Sequence, residues 1–244
     1  LGSVDSPAAS PRARRSYEAH ARLLRDWNAA INLTAIREPV DIALRHICDS
    51  LSAVPRLTEL TGPGATLLDI GSGGGYPGLP LAAALPLARL GLLDSVGKKA
   101  RFLDVAGAAV AAILGDGEAE GAPVIEAIPE RAEDLAEEPD QRGAWDIVTA
   151  RAVGSLAEVI ELSLPLTREG GWVVAWKREE ERGGLRAELR DAGSIIRATG
   201  GGRPEVVSID ASFLPGHRLV VVPKERPTPA SYPRPAATRK RRKR

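Results

Sequence analysis

The tightest constraint on this chain is the stretch Thr66-Leu67-Leu68-Asp69-Ile70-Gly71-Ser72-Gly73-Gly74-Gly75-Tyr76-Pro77-Gly78. An apolar run closes on an acid, and glycine begins two residues later. Glycine belongs where the backbone needs positive φ, or where a ligand lies against main-chain N–H groups. Pro77, followed by Leu79, Leu81 and Leu85, suits a helix start whose free N–H groups and dipole face the same point. Strand, glycine loop and helix make the first half of a nucleotide-type βαβ unit.

The chain beyond Gly78 keeps that rhythm. Apolar runs at 67–70, 88–93, 123–128, 145–150 and 171–176 alternate with helical segments at 98–114, through Leu156, Val159, Ile160 and Leu164, and up to Ala198. Alternation of this kind predicts a parallel sheet. Two last runs, 205–209 and 218–222, are joined by a short loop, which only a hairpin can span, so the last strand runs antiparallel to its neighbour. Ahead of this core, residues 1–15 carry no periodicity and read as disordered. Tyr17, Ala21, Leu24, Trp27 (or Asn28) and Ile31 recur at helical spacing, and Ile36, Val40, Leu44, Ile47, Leu51 and Val54 do so again, with Pro39 in the first turn. The chain thus divides into a disordered start (1–15), a helical extension (16–64), an α/β core (65–226) and a basic tail (227–244).

The formal net charge of +1 hides an asymmetry: Arg239, Lys240, Arg241, Arg242, Lys243 and Arg244 supply six positive charges, so the other residues sum to +1 − 6 = −5. A mildly acidic body with a basic end is the pattern of an arm for polyanions. No apolar run approaches membrane-spanning length and no signal-peptide pattern opens the sequence. A single cysteine, Cys48, excludes an internal disulfide and fits a cytoplasmic location. Beside it only His46 is near, which is poor material for a metal site, and none is expected.

Ligands of open α/β sheets bind at the carboxyl ends of the strands. Those ends carry Asp69, Asp94, Ser95, Arg131, Ala132, Glu133, Arg151 and Lys177. Gly73, Gly75 and Gly78 satisfy the dinucleotide pattern, with Asp94 about 20 residues on as a ribose partner. The alternative turns on Asp69. A carboxylate two residues before Gly71 can accept hydrogen bonds from an amino acid's ammonium group, and Asp69-x-Gly71-x-Gly73-x-Gly75 resembles the first motif of S-adenosylmethionine (AdoMet) methyltransferases. Seven strands with a reversed last one are similar to that class too. Strand four ends in Thr149-Ala150-Arg151-Ala152, without the Asn/Asp-Pro-Pro-aromatic motif that grips an exocyclic amine, and Cys48 does not follow a proline as a pyrimidine-attacking cysteine does.

Further residues carry a closer resemblance. Trp27-Asn28-x-x-Ile31-Asn32-Leu33-Thr34-x-Ile36 and His46-Ile47-x-Asp49-Ser50-Leu51 resemble the start of the RsmG (GidB) family of bacterial ribosomal RNA methyltransferases. Asp69 through Pro80, Leu93-Asp94-Ser95-x-x-Lys98-Lys99, Arg131-Ala132-Glu133, Arg151-Ala152, Lys177 and Tyr232-Pro233-Arg234 continue the match. The basic end and insertions around 115–121 and 137–143 depart from it. The resemblance implies a class I AdoMet-dependent fold and methyl transfer to N7 of a guanine in the 530 loop of 16S rRNA. Asp69, Gly71, Ser72, Gly73, Gly75, Gly78, Leu79, Asp94, Ser95, Ala132, Glu133 and Arg151 would then hold AdoMet. Arg151 and Lys177 would stand nearest the chemistry, and Asn32, Thr34, His46, Arg131, Lys177, Arg234, Arg239, Lys240, Arg241 and Arg242 would meet the RNA. The expected partner is 16S rRNA or the 30S particle, and the expected state a monomer. An NAD-dependent oxidoreductase and a non-catalytic RNA-binding assembly factor are the rival readings.

Overall fold

A computed structural model of the protein describes residues 7–116, 122–179 and 184–240. Seven strands form one sheet in the order β3-β2-β1-β4-β5-β7-β6. They are β1 (Ala65–Ile70), β2 (Leu87–Leu93), β3 (Val124–Ile128), β4 (Trp145–Arg151), β5 (Thr167–Arg178), β6 (Glu205–Ser208) and β7 (His217–Pro223). The chain makes two compact units, Leu1–Pro129 with Ala211–Leu214 and Glu130–Asp210 with Pro215–Arg244.

In the first unit β1, β2 and β3 are parallel neighbours, with Asp69 paired to Leu92 and Leu93 to Ile128. Leu67, Leu68, Leu90 and Leu92 are fully buried, as expected of parallel strands covered on both faces. Around them lie α1 (Pro11–Ile31), α2 (Pro39–Ile42), a π-helical turn (Ala43–Cys48), α3 (Asp49–Leu51), α4 (Val54–Leu60), α5 (Gly78–Ala84) and α6 (Gly97–Gly115). α1 packs on α6 and α5, so the N-terminal helices and the first three strands fall in one unit.

Two sequence expectations are corrected here. Helix α1 starts at Pro11, inside the stretch read as disordered: Ser10 Oγ accepts from Ala13 N at 3.1 Å. The Arg12 guanidinium donates to the carbonyls of Leu114 and Asp116 at the end of α6. Tertiary contact, which local composition does not register, orders these residues; residues 1–6 lie outside the described ones. The buried stripe of α1 also differs, running through Ala13, Tyr17, His20, Leu24 and Asn28, with His20 rather than Ala21 facing inward.

In the second unit β4 and β5 are parallel, while β7 runs antiparallel to both β5 and β6. The reversed last strand therefore lies between its two neighbours. Helices α7 (Ala132–Leu135), α8 (Leu156–Ser163), α9 (Gly184–Ala198) and α10 (Ala236–Lys240) complete this unit. Lys224, at the exit of β7, is 3% exposed, and its Nζ donates to Leu164 O at 2.7 Å and Thr199 O at 2.9 Å, with Thr228 Oγ1 as a third partner. Arg142 donates to the carbonyls of Thr228, Pro229 and Tyr232. The segment after β7 is thereby pinned onto α8 and α9. Among the described residues no helix is long and apolar enough to cross a membrane, and no three His, Cys, Asp or Glu side chains cluster as metal ligands.

Candidate functional site

The strand tips of the first unit bring two acids and the glycine loop together. Asp69, next to last in β1, has no exposed surface, and its Oδ2 accepts from Gly78 N, in the first turn of α5, at 3.1 Å. Gly71 N and Ser72 N both donate to Leu93 O, at 2.8 and 3.0 Å, which ties the loop to the tip of β2. Ser72 Oγ turns back to Asp69 O at 2.7 Å. Asp94 follows β2: one oxygen accepts from Gly73 N at 3.0 Å, the other from Val96 N at 2.9 Å, and Lys99 Nζ stands 3.9 Å away. Asp94 thus organises the start of α6 as well as the loop. A carboxylate carries about four acceptor sites, so these bonds leave it able to take ligand hydroxyls. Ser95 is exposed beside it, and Leu79 is buried behind the loop.

The glycines divide by role. Gly71, Gly73 and Gly75 have φ of 69°, 54° and 82°, left-handed values that favour glycine. A Cβ on Gly73 would meet only Gly71 O at 3.7 Å, so the space beside it is open. A Cβ on Gly74 would lie 2.9 Å from Leu24, and one on Gly75 would lie 2.9 Å from His20. Glycine at 74 and 75 therefore admits Leu24 and His20 of α1, with Leu79 also close to Gly75, whereas the side of Gly73 stays open. An acid 7% exposed, an uncovered glycine backbone and the negative charge of Asp69 enclosed beneath the loop suit a ligand with vicinal hydroxyls and an ammonium group. AdoMet has both.

Of the residues expected to meet RNA, Thr34 and His46 are joined by a hydrogen bond of 2.8 Å between Oγ1 and Nε2. Asn28, nearly buried, holds that turn: its Oδ1 accepts from Leu33 N and Thr34 N, and its Nδ2 donates to Thr34 O. Asn32 is exposed and closes α1 in a left-handed conformation. The sequence reading missed His20 and Tyr76. Tyr76 lies between two imidazoles, with ring centroids 4.4 Å from His20 and 4.6 Å from His46. The signal was present, since a histidine stands in the middle of an apolar helix face.

In the second unit β4 ends at Arg151, and Ala152 follows with φ of 60°, a conformation that costs a non-glycine residue about 1–3 kcal/mol. Lys177 Nζ donates to Gly154 O at 3.1 Å in that loop and pairs with Glu188 at 2.7 Å, its side chain only 11% exposed. Glu188 also accepts from Leu156 N at 2.8 Å. Lys177 therefore holds the loop after Arg151; it is not an open cation. Arg131 is exposed and caps α7, in which Ala132 is buried. Glu133 accepts from Arg239 at 2.8 Å. Burial opposes ionisation of Glu133, but the Arg239 hydrogen bond, a backbone N–H and the Arg239 and Arg131 charges outweigh it and lower its pKa. Arg234 forks onto the buried Glu161 at 2.8 and 2.6 Å. Arg234 and Arg239, expected on the RNA, are thus committed to internal carboxylates. Lys240 ends α10, and Arg241 and Arg242 lie outside the described residues.

The sheet order and the two strand-tip acids define a class I AdoMet-dependent methyltransferase fold. Its likeness to an O-methyltransferase from Bacillus cereus solved in complex with SAH shows the same fold, at TM-score 0.53 and 16% identity, covering 84% of this chain and 91% of that one. A family model described as rRNA small subunit methyltransferase G (GidB) matches residues 14–193. Ribosomal RNA small subunit methyltransferase G of Dehalococcoides mccartyi is 38% identical over 221 residues, 90% of this chain and 87% of the relative. The protein of the same name from Deinococcus radiodurans is 41% identical over 218 residues, 87% and 78% of the two chains. The chain belongs to the rRNA small subunit methyltransferase G (GidB) family.

Proposed function

We propose that the protein methylates N7 of a guanine in the 530 loop of 16S rRNA, with AdoMet as donor, and acts as a cytoplasmic monomer on the RNA or the 30S particle. Family membership supports the substrate, and the Asp69 and Asp94 carboxylates gathered beside the open backbone of Gly73 are the observation that carries the cofactor assignment. When bound, AdoMet supplies an electrophilic methyl group on a sulfonium. Asp69 would supply the charge for its ammonium group, Asp94 would take its ribose hydroxyls, and Gly71, Gly73, Ala132, Glu133 and Arg151 would be further contacts. N7 of guanine presents a lone pair and carries no proton, so the chain needs no general base. Its lone pair forms the new N–C bond as the C–S pair returns to sulfur, and the guanine ring takes up the positive charge. What the residues contribute is alignment and exclusion of water. Lys177 fixes the loop after Arg151, leaving Arg151, Arg131, Asn32 and the Thr34/His46 pair to position RNA. Asp69 beneath the loop and the reversed last strand argue against the oxidoreductase reading, and an assembly factor would not need Asp69.

Calorimetry with AdoMet and with NAD, on wild type and Asp69→Ala, separates the three readings. We expect AdoMet to bind, NAD not to bind, and Asp69→Ala to weaken AdoMet at least about tenfold, as for loss of a charge-assisted hydrogen bond. Equal affinity in the two proteins would refute the assignment.

A further inference from the structure

We propose that His20 is a positioning residue of the methyl-donor site, so that helix α1 is part of that site although it contributes no strand-tip residue. The proposal rests on the reading of the glycine loop as the AdoMet site. His20 is 1% exposed, and its Nε2 lies 2.7 Å from Gly74 O. A carbonyl only accepts, so Nε2 carries the proton. The bond reaches 54 positions along the chain and fixes a carbonyl inside the loop whose neighbours, Gly73 and Gly75, face left-handed backbone requirements. A loop of successive glycines has many conformations to lose, and an external anchor removes that freedom before the ligand arrives.

A second contact reinforces the first. The Tyr76 ring stacks on His20 with an interplanar angle of 27° and on His46 with 17°, and Tyr76 N itself donates to Ser72 O at 3.2 Å. His20 of α1 and His46 of the π-helical turn thus hold the Tyr76 ring, while the side of Gly73 stays open. The His20 ring also fills the space that a side chain at Gly75 would need. Its role is therefore to set the loop's shape and leave the donor's reactive atoms alone.

The test measures AdoMet affinity by calorimetry on the full chain, with thermal unfolding of the ligand-free proteins alongside. Removing the anchor in His20→Leu is expected to raise the AdoMet Kd about tenfold, on the scale of one buried hydrogen bond plus lost pre-organisation. The KM for AdoMet is expected to rise with the Kd and by a larger factor than kcat falls, since what is lost is binding of the donor. His20→Gln, which keeps an N–H donor, is expected to recover most of the affinity. Should His20→Leu fail to fold, Tyr76→Leu removes the stack and is expected to move Kd in the same direction. Unchanged Kd in the folded variant, or equal losses for Leu and Gln, overturns the proposal. A wild-type chain that binds no AdoMet overturns the functional reading itself, and this proposal with it.

Discussion

Gly78 and Gly97 show how differently two glycines at the starts of neighbouring helices are used. A Cβ on Gly78 would fall 2.7 Å from Leu92 Cδ2 and 3.1 Å from Asp69 Oδ2, whereas one on Gly97 would meet nothing within 4 Å. Gly78→Ala is therefore expected to cost about 1–3 kcal/mol of stability by overpacking and to weaken AdoMet binding by displacing Asp69. Gly97→Ala should be neutral or stabilising by about 0.4–1 kcal/mol, because only the unfolded chain loses freedom. Urea titrations of both variants check the pair of outcomes. Glu133 gives a pH dependence at the same scale. Its native pKa lies below the ordinary 4.5, so its contribution is present above that value and lost as pH falls through the native pKa. The stability gap between wild type and Arg239→Ala is expected to close as the solution is taken well below 4.5.

Among the elements, the segment after β7 depends most on single residues. Lys224→Met would leave Leu164 O without its Nζ donor in a buried setting, at about 1–3 kcal/mol. Burial first, and then the Arg142 charge, lower the Lys224 pKa to about 8. Between about 8 and the ordinary 10.5 the unfolded chain binds the extra proton, so this group's contribution to stability rises with pH across that window. Wild type should gain on Lys224→Met as pH is raised through it; denaturation at several pH values would expose the opposite slope. The loop after β4 is the other dependent element. Lys177→Ala removes its bonds to Gly154 O and Glu188, and is expected to lower the methylation rate by about tenfold or more through misplacement of Arg151.

For the molecule as a whole, the charge asymmetry sets how it meets a polyanion. Arg234 and Arg239 are held internally, so phosphate neutralisation is expected to fall to other cations, including Arg241, Arg242, Lys243 and Arg244. Removing those four leaves the Arg239–Glu133 pair in place. It is expected to weaken RNA binding and reduce the slope of log K against log salt by up to about 3.6, at roughly 0.7–0.9 per phosphate contact. Equal slopes in filter binding with and without them would rule out the arm.

The sequence by itself determined the alternation of strands and helices, the reversed last strand and the placing of Asp69 and Asp94 at strand tips. Each comes from local rules: hydrophobic period, loop length, and glycine or proline at fixed offsets. Only the tertiary structure decided which glycines keep an open side and which face α1, because that depends on Leu24 and His20 arriving from about fifty residues away. It likewise turned Lys177, Arg234 and Arg239 from apparent open cations into ion-paired ones. A charge's partner is set by packing at long range, and no spacing in the sequence records it.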